Sequence, residues 1–283
     1  MAHDREHITA APRPHPGGTD SPLSAAMVGR DRKLMTIVAS AIRHREVILA
    51  HQPVVQARNP GQVAFYEAFA RVLDDTGRPI PARDFMPRIA ATELGRQLDC
   101  LALDLGLRLL AERPEIRLSI NMSARSIGYR DWGTTLERHL GADDTLGERL
   151  MLEIGESSAM AVPELVLDFM DQMQPHGIAF ALDNFGTGPT ILRHLRDFLF
   201  DAVKIDGEFI RGIHANLDNH ALVRTLIAIA REFDMLVIAE HVEEQADADF
   251  LIAARVDCLQ GYLYGAPKLI PVAAANTVRA RRA

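Results

Sequence analysis

Six short apolar runs in this chain each close on a polar or charged residue: LSIN at Asn121, LMLE at Glu153, IAFALD at Asp183, DAVK at Lys204, LVIAE at Glu240 and CLQ at Gln260. A seventh run, VAFYE, carries Glu67. Short runs rich in Val, Ile, Leu and Phe, separated by helical patterns, read as parallel strands buried on both faces. Strand–helix alternation on this scale implies right-handed crossovers, hence a barrel or a doubly wound sheet. In a barrel, the polar residues at the carboxyl ends of the strands gather around one mouth. Residues dispersed along much of the chain then form a single candidate site.

The remaining composition narrows the class. With 283 residues, the chain is long enough for one large α/β barrel or two ordinary domains. At 48% hydrophobic and 24% charged residues, it can bury a sizeable core. A net charge of −7 weighs against a nucleic-acid partner, which needs a basic face. Cys100 and Cys258 form no C-x-x-C pair, so neither a disulfide framework nor a zinc site is expected. The amino terminus lacks the apolar core of a signal peptide, and no run is long enough to cross a bilayer. A cytoplasmic protein is expected.

Along the chain, residues 1–30 are rich in Pro, Gly and His without an apolar period, and read as a disordered tail. The barrel is expected over 31–270, with a short basic tail over 271–283. The periodicity predicts helices over 32–45, 84–113 (broken near Gly95), 163–174, 190–197, 219–233 and 243–254. HQPVVQ, from His51, reads as extended.

Glu67, Glu153, Asp183 and Glu240 all lie on or at the ends of apolar strands. Burying like charges together is costly unless something neutralises them. Divalent cations with oxygen ligands would do so, and the neutral oxygen of Asn121 suits Mg²⁺, Mn²⁺ or Ca²⁺ better than zinc. Taken singly, each acid has a bland alternative, pairing with an arginine or capping a helix. Lys204 could hold a water or phosphate, or form a Schiff base as in an aldolase; the ring of acids fits metal chemistry better. The loop DNFGTG places two glycines after a strand, permitting close approach to a ligand, but it lacks the lysine and spacing of a P-loop. Arg71 could bind phosphate, stack on a base, or form a surface salt bridge. His139, His176, His194, His214 and His220 lack ligand spacing and read as structural or solvated.

The motifs YEAFAR, NMS, LEIGES, LDNFGTG, VKIDGEFI, IAEHVE and QGYLYGAP, in that order, resemble those of the EAL-domain family of cyclic di-GMP phosphodiesterases, from about His51 to Pro267. The resemblance implies a modified TIM (β/α)₈ barrel whose first strand runs antiparallel to the rest. It implies hydrolysis of cyclic di-GMP to linear pGpG with Mg²⁺ or Mn²⁺, two ions being expected. By motif, Glu67, Asn121, Glu153 and Asp183 resemble metal ligands. Asn184 stands where the family has a second aspartate, a ligand of the second metal. Glu240 resembles a further metal- or water-binding glutamate, and Lys204 the lysine that holds the attacking water. Gln260 resembles a glutamine supporting the site, and Arg71 a substrate contact. Glu156 resembles the glutamate that steadies the glycine loop. The family also implies a homodimer.

The departures bear on activity more than on fold. Asn184 keeps an oxygen donor but lacks the charge, so the second cation should bind more weakly. Phe69 replaces the signature leucine, His241 replaces a glycine beside Glu240, and Pro189-Thr190-Ile191 replaces the usual residues after the loop. The alternative is a degenerate domain that binds cyclic di-GMP as a receptor and signals through a protein partner, with the N-terminal tail as a contact segment.

Overall fold

The computed structural model describes residues 22–188 and 192–269. The chain opens on a helix, α1 (Pro22–Arg43), followed by a hairpin of two long strands, β1 (Val47–Gln56) and β2 (Asn59–Leu73). A short strand, β3 (Pro79–Pro81), and the helices α2 (Met86–Ile89) and α3 (Glu93–Glu112) lead into the alternating region. There follow β4 (Leu118–Met122), α4 (Arg130–Leu140), β5 (Leu150–Gly155), α5 (Glu156–Ala161), α6 (Pro163–Met173) and β6 (Ala179–Phe185). The chain continues with α7 (Leu192–Leu195), β7 (Ala202–Ile205), α8 (Gly207–Ile210), α9 (Leu217–Glu232), β8 (Leu236–Ala239), α10 (Gln245–Ala253) and β9 (Cys258–Gln260).

The strand order β1-β9-β8-β7-β6-β5-β4-β2 is closed by the β1–β2 pairing, with β3 appended to β2. The strands from β2 to β9 around this ring run parallel to their neighbours, whereas β1 is antiparallel to both β2 and β9. The structure is therefore the eight-stranded barrel with a reversed first strand that the motifs imply.

Register and the two-residue period of a strand place the site. Val54, Phe65, Ala181, Ala202, Ile238 and Cys258 pack together as a buried cluster inside the barrel, with Met151 against it. Two residues further along six of the seven parallel strands, on the same face, stand Glu67, Glu153, Asp183, Lys204, Glu240 and Gln260. On β1, which runs the other way, the equivalent residue comes two positions earlier: Gln52 lies directly across from Glu67. An apolar plug thus fills the barrel, and a polar layer lies on top of it. The outward faces of the strands pack on the helices in the main core, where Leu118, Ile120, Leu152, Phe180, Val203 and Val237 are buried.

Helix α1 buries Val38, Ala41 and Ile42 against Val72, Phe85, Ile89 and Leu98, covering the outside of the hairpin. It begins at Pro22, inside the segment expected to be a tail; residues 1–21 lie outside the described residues, as do 270–283 and 189–191. The expected long helix 84–113 is broken near Gly95, as the sequence suggests, with the division just ahead of it. Helix α2 ends at Ile89, and α3 starts at Glu93 after an extended Thr92. Gly95 belongs to the first turn of α3, and a Cβ there would stand 2.6 Å from the Ile89 carbonyl oxygen. The glycine therefore permits the close approach of the two helices. Beyond β9 the chain folds back so that Lys268 and His51 of β1 exchange backbone hydrogen bonds of 2.7 and 2.9 Å.

Candidate active site

Lys204 is the centre of the polar layer. Its side chain is buried, and its Nζ donates to Glu67 Oε2 at 2.8 Å and Glu153 Oε2 at 2.7 Å. Glu240 Oε1 lies 2.8 Å from the same nitrogen, and Asp183 Oδ1 lies 3.7 Å away. Burial alone would strip the proton from such a lysine, but Glu153, Glu240, Glu67 and Asp183 override it and hold its pKa well above the ordinary value.

The four acids divide by their partners. Burial would raise Glu67, but Lys204 and the amides of Gln260 and Asn121 pull its pKa below the ordinary value. Gln260 Nε2 donates to Glu67 Oε2 at 2.6 Å, and Asn121 Nδ2 donates to Glu67 Oε1 at 2.8 Å. Glu153 is pushed well up by burial and by the charge of Glu67, and its Oε1 is buried without a hydrogen-bond partner. Burial likewise raises Asp183, and it lifts Glu240 to about 8. With all four ionised, one ammonium faces four carboxylates, a surplus of three negative charges.

Two loops complete the mouth, each in left-handed backbone next to an acid. Asn184, at φ 57°, follows Asp183, and its Nδ2 donates to Asp183 Oδ2 at 2.8 Å. His241, at φ 54°, follows Glu240, and its ring packs on the backbone of Gly207. The glycine loop is clamped from below: Glu156 Oε2 accepts from the Gly186 amide at 3.1 Å and the Gly188 amide at 2.8 Å. Burial nonetheless raises the pKa of Glu156, against those bonds. Residues 189–191, where the sequence departs from the family after this loop, lie outside the described residues. Arg71 is partly buried and lines a cavity of about 510 Å³ that adjoins Glu240 and Gln260.

The acids thus come together from separate strands on the ammonium of Lys204, and Asn121 joins them through Glu67. Among the described residues, a different trio, His214, Glu244 and Asp247, brings its ligand atoms within 4.8 Å of one another. Two of the three form a structural staple: Asp247 accepts from the Gly212 amide, the His214 amide and His214 Nδ1. The donor set at the mouth still fits divalent cations. It is all oxygen, it carries surplus negative charge once its acids are ionised, and it leaves a buried Glu153 oxygen unpaired.

Two contributors escaped the sequence reading. Gln52 accepts from Gln260 at 3.3 Å and donates to the Gly265 carbonyl at 2.9 Å, bracing the glutamine that holds Glu67. Asp99 of α3 lines a cavity of about 300 Å³ together with Glu67, Asn121 and Asp183. It accepts from Ser126 Oγ at 2.6 Å and the Ser123 amide at 3.0 Å, fixing the turn after β4. A polar residue inside an apolar strand, and an acid among the buried positions of an amphipathic helix, were the available signals.

A closed barrel with one reversed strand and a ring of acids around a lysine defines a class of polar-mouthed barrel domains. The chain belongs to the EAL domain family, whose model matches residues 36–267. It is 28% identical over 239 residues to the cyclic di-GMP phosphodiesterase PdeF of Escherichia coli K12, covering 83% of this chain and 32% of the relative. It is 30% identical over 241 residues to the cyclic di-GMP phosphodiesterase PdeR of the same organism, covering 83% and 36%. The structure of the PaMucR phosphodiesterase in complex with c-di-GMP superposes with a TM-score of 0.73 at 27% identity, over 84% of this chain and 98% of that one. The chain spans about a third of the length of these curated relatives. No helix among the described residues is long and apolar enough to cross a membrane.

Proposed function

We propose that this domain hydrolyses one phosphodiester of cyclic di-GMP, giving linear pGpG, with the aid of Mg²⁺ or Mn²⁺. The observation that carries the reading is the surplus of carboxylates over cations in a mouth that has to admit an anionic phosphodiester. Such a mouth repels its ligand unless divalent cations intervene. In this reading Glu67, Asn121, Glu153 and Asp183 hold one ion, and Asp183, Asn184 and Glu240 contribute to a second, weaker one. When bound, the ions would neutralise the phosphate and acidify a water. Lys204 would hold Glu67, Glu153 and Glu240 in place and help to position that water, and Glu240 would stand beside it as the group to take up its proton. Arg71 pairs with phosphate, and Gln260 fixes Glu67 beneath the substrate. Glu156 keeps the glycine loop in shape. A cytoplasmic homodimer completes the reading.

The test is turnover by the purified protein in Mn²⁺ and Mg²⁺, with pGpG resolved by chromatography. Glu67→Ala and Glu153→Ala should abolish product, and Asn184→Asp should increase it. No pGpG above the Glu67→Ala background would sink the enzymatic reading.

One contact favours a second reading, a receptor that binds cyclic di-GMP without cleaving it. The Asn184 amide donates to Asp183 where an aspartate would offer a further oxygen to a cation. Calorimetry in Ca²⁺ beside the turnover assay separates the two: tight binding without product favours the receptor.

A further inference from the structure

Outside the barrel the balance of charge is reversed. Asp104 lies on a stripe of α3 shared with Gln97, Leu101 and Arg108, set by the helical period. It is 2% exposed, and a carboxylate so buried has to be paired. Arg45 donates to its Oδ2 at 2.7 Å, and Arg138 of α4 donates to its Oδ1 at 2.7 Å. Arg108 stands 2.9 Å from Oδ2, and His139 Nε2 lies 3.0 Å from Oδ1. Burial would raise Asp104, but His139 and the three arginines pull its pKa below the ordinary value. The carboxylate is thereby saturated, and the arginines are not. Each reaches it through one nitrogen of a fork with several N–H donors, and the side chains of Arg45, Arg138 and Arg108 stay 63%, 59% and 58% exposed. Three cations on one anion leave a surplus of two positive charges, in a chain whose net charge is −7.

Arg45 and Arg138 border a cavity of about 520 Å³, where Arg43 and Asp131 add one charge of each sign. Ile42 and Leu101, both buried, supply part of its apolar lining. The cavity shares no residue with those at the barrel mouth. Arg45 reaches it at a cost. It follows α1 in left-handed backbone, at φ 58°, and the Glu46 amide bonds back to the Ala41 carbonyl at 2.8 Å. That helix ending is usually built on glycine, which adopts the conformation without strain. An arginine held there, with its head on Asp104 and its side chain on the wall of a cavity, points to a role at that cavity.

We infer that the cleft between α1, α3 and α4 is a binding site for a small molecule carrying a phosphate monoester. A monoester is close to dianionic at neutral pH, which matches the surplus of two. Its terminal oxygens accept from guanidinium forks that are already in place. Asp104 makes the cleft ready: it gathers the three cations before any ligand arrives, so binding orders few side chains. The volume of the cavity and its apolar lining leave room for a compact body beyond the phosphate, as small-molecule sites do. This site stands apart from the chemistry of the mouth and does not depend on it.

The test is isothermal calorimetry of the full chain with inorganic phosphate and with ribose 5-phosphate, in metal-free buffer of low ionic strength. Without cations the acidic mouth repels both probes. The native protein should bind each saturably, ribose 5-phosphate the more tightly, and both should weaken as salt is added. The double variant Arg45→Gln, Arg138→Gln should lose about tenfold or more in affinity for either probe. Those two arginines also neutralise Asp104, so a second variant, Arg43→Gln, leaves the partners of that carboxylate intact. It should lose about threefold while keeping the native melting temperature. No saturable phosphate binding by the native protein, or native affinity in both variants, overturns the site. Ribose 5-phosphate binding more weakly than inorganic phosphate overturns the assignment to a small molecule. So does a phosphoserine peptide that binds about tenfold more tightly than ribose 5-phosphate.

Discussion

At the scale of single residues, Lys204 decides whether the mouth holds together. Its one charge is shared by four acids, three of them within 2.8 Å. Removing one partner of a buried ion pair costs roughly 3–5 kcal/mol, because the remaining charges are left unbalanced. Lys204→Met should therefore lower the urea midpoint sharply at pH 8 in the presence of a chelator. An unchanged midpoint would mean that the acids are neutralised without it. Asp99 offers a cleaner titration. Burial lifts its pKa from 3.8 to about 6, against the bonds from Ser126 and Ser123. A raised acid favours its protonated form in the folded state. Its contribution is therefore full below 3.8 and is lost as the pH rises through about 6. Asp99→Asn keeps an acceptor for both donors, so its melting temperature relative to the native protein should rise between about pH 4 and 6.5. A difference that stays constant over that range would show that the carboxylate ionises freely.

At the scale of elements, the closure between β8 and β9 depends on Gly261. A Cβ there would stand 2.0 Å from the Val242 carbonyl oxygen and 2.3 Å from its nitrogen, both backbone atoms. Gly261→Ala should cost about 1–3 kcal/mol and displace Gln260 from Glu67, measured as a lower thermal midpoint together with weaker ligand binding. A native midpoint would refute it. The same elements show what a sequence discloses. The strands from β5 to β9 were legible because each run ends on the polar residue that stands two places above the apolar plug. Gln52 was not, because β1 runs backwards and its polar residue precedes the apolar one. Helix α5 escaped notice because ESSAMA is a single short stretch without a repeating apolar stripe. α4 was passed over with Gly133 and two threonines in its middle. The central position of Lys204 was also invisible: its bonds to Glu67 and Glu153 span 137 and 51 residues, and only the closed barrel brings them together.

At the scale of the whole molecule, divalent cations should act as folding ligands. Anything that binds the native state alone stabilises it by about 1.4 kcal/mol at ten times its dissociation constant. Mg²⁺ or Mn²⁺ should raise the thermal midpoint of the native protein and raise that of Glu153→Gln much less; equal shifts would mean that the ions bind elsewhere. The reversed direction of β1 has a mechanical corollary. Helix α1 hands over to β1 at the rim end of the barrel, since Val47 pairs with Val72 near the end of β2. The returning segment at Lys268 grips the same strand at His51. The next residue is Gln52, which touches Gln260, and Gln260 touches Glu67. A pull on either attachment is therefore borne by one strand, two hydrogen bonds away from the glutamate that Lys204, Gln260 and Asn121 hold.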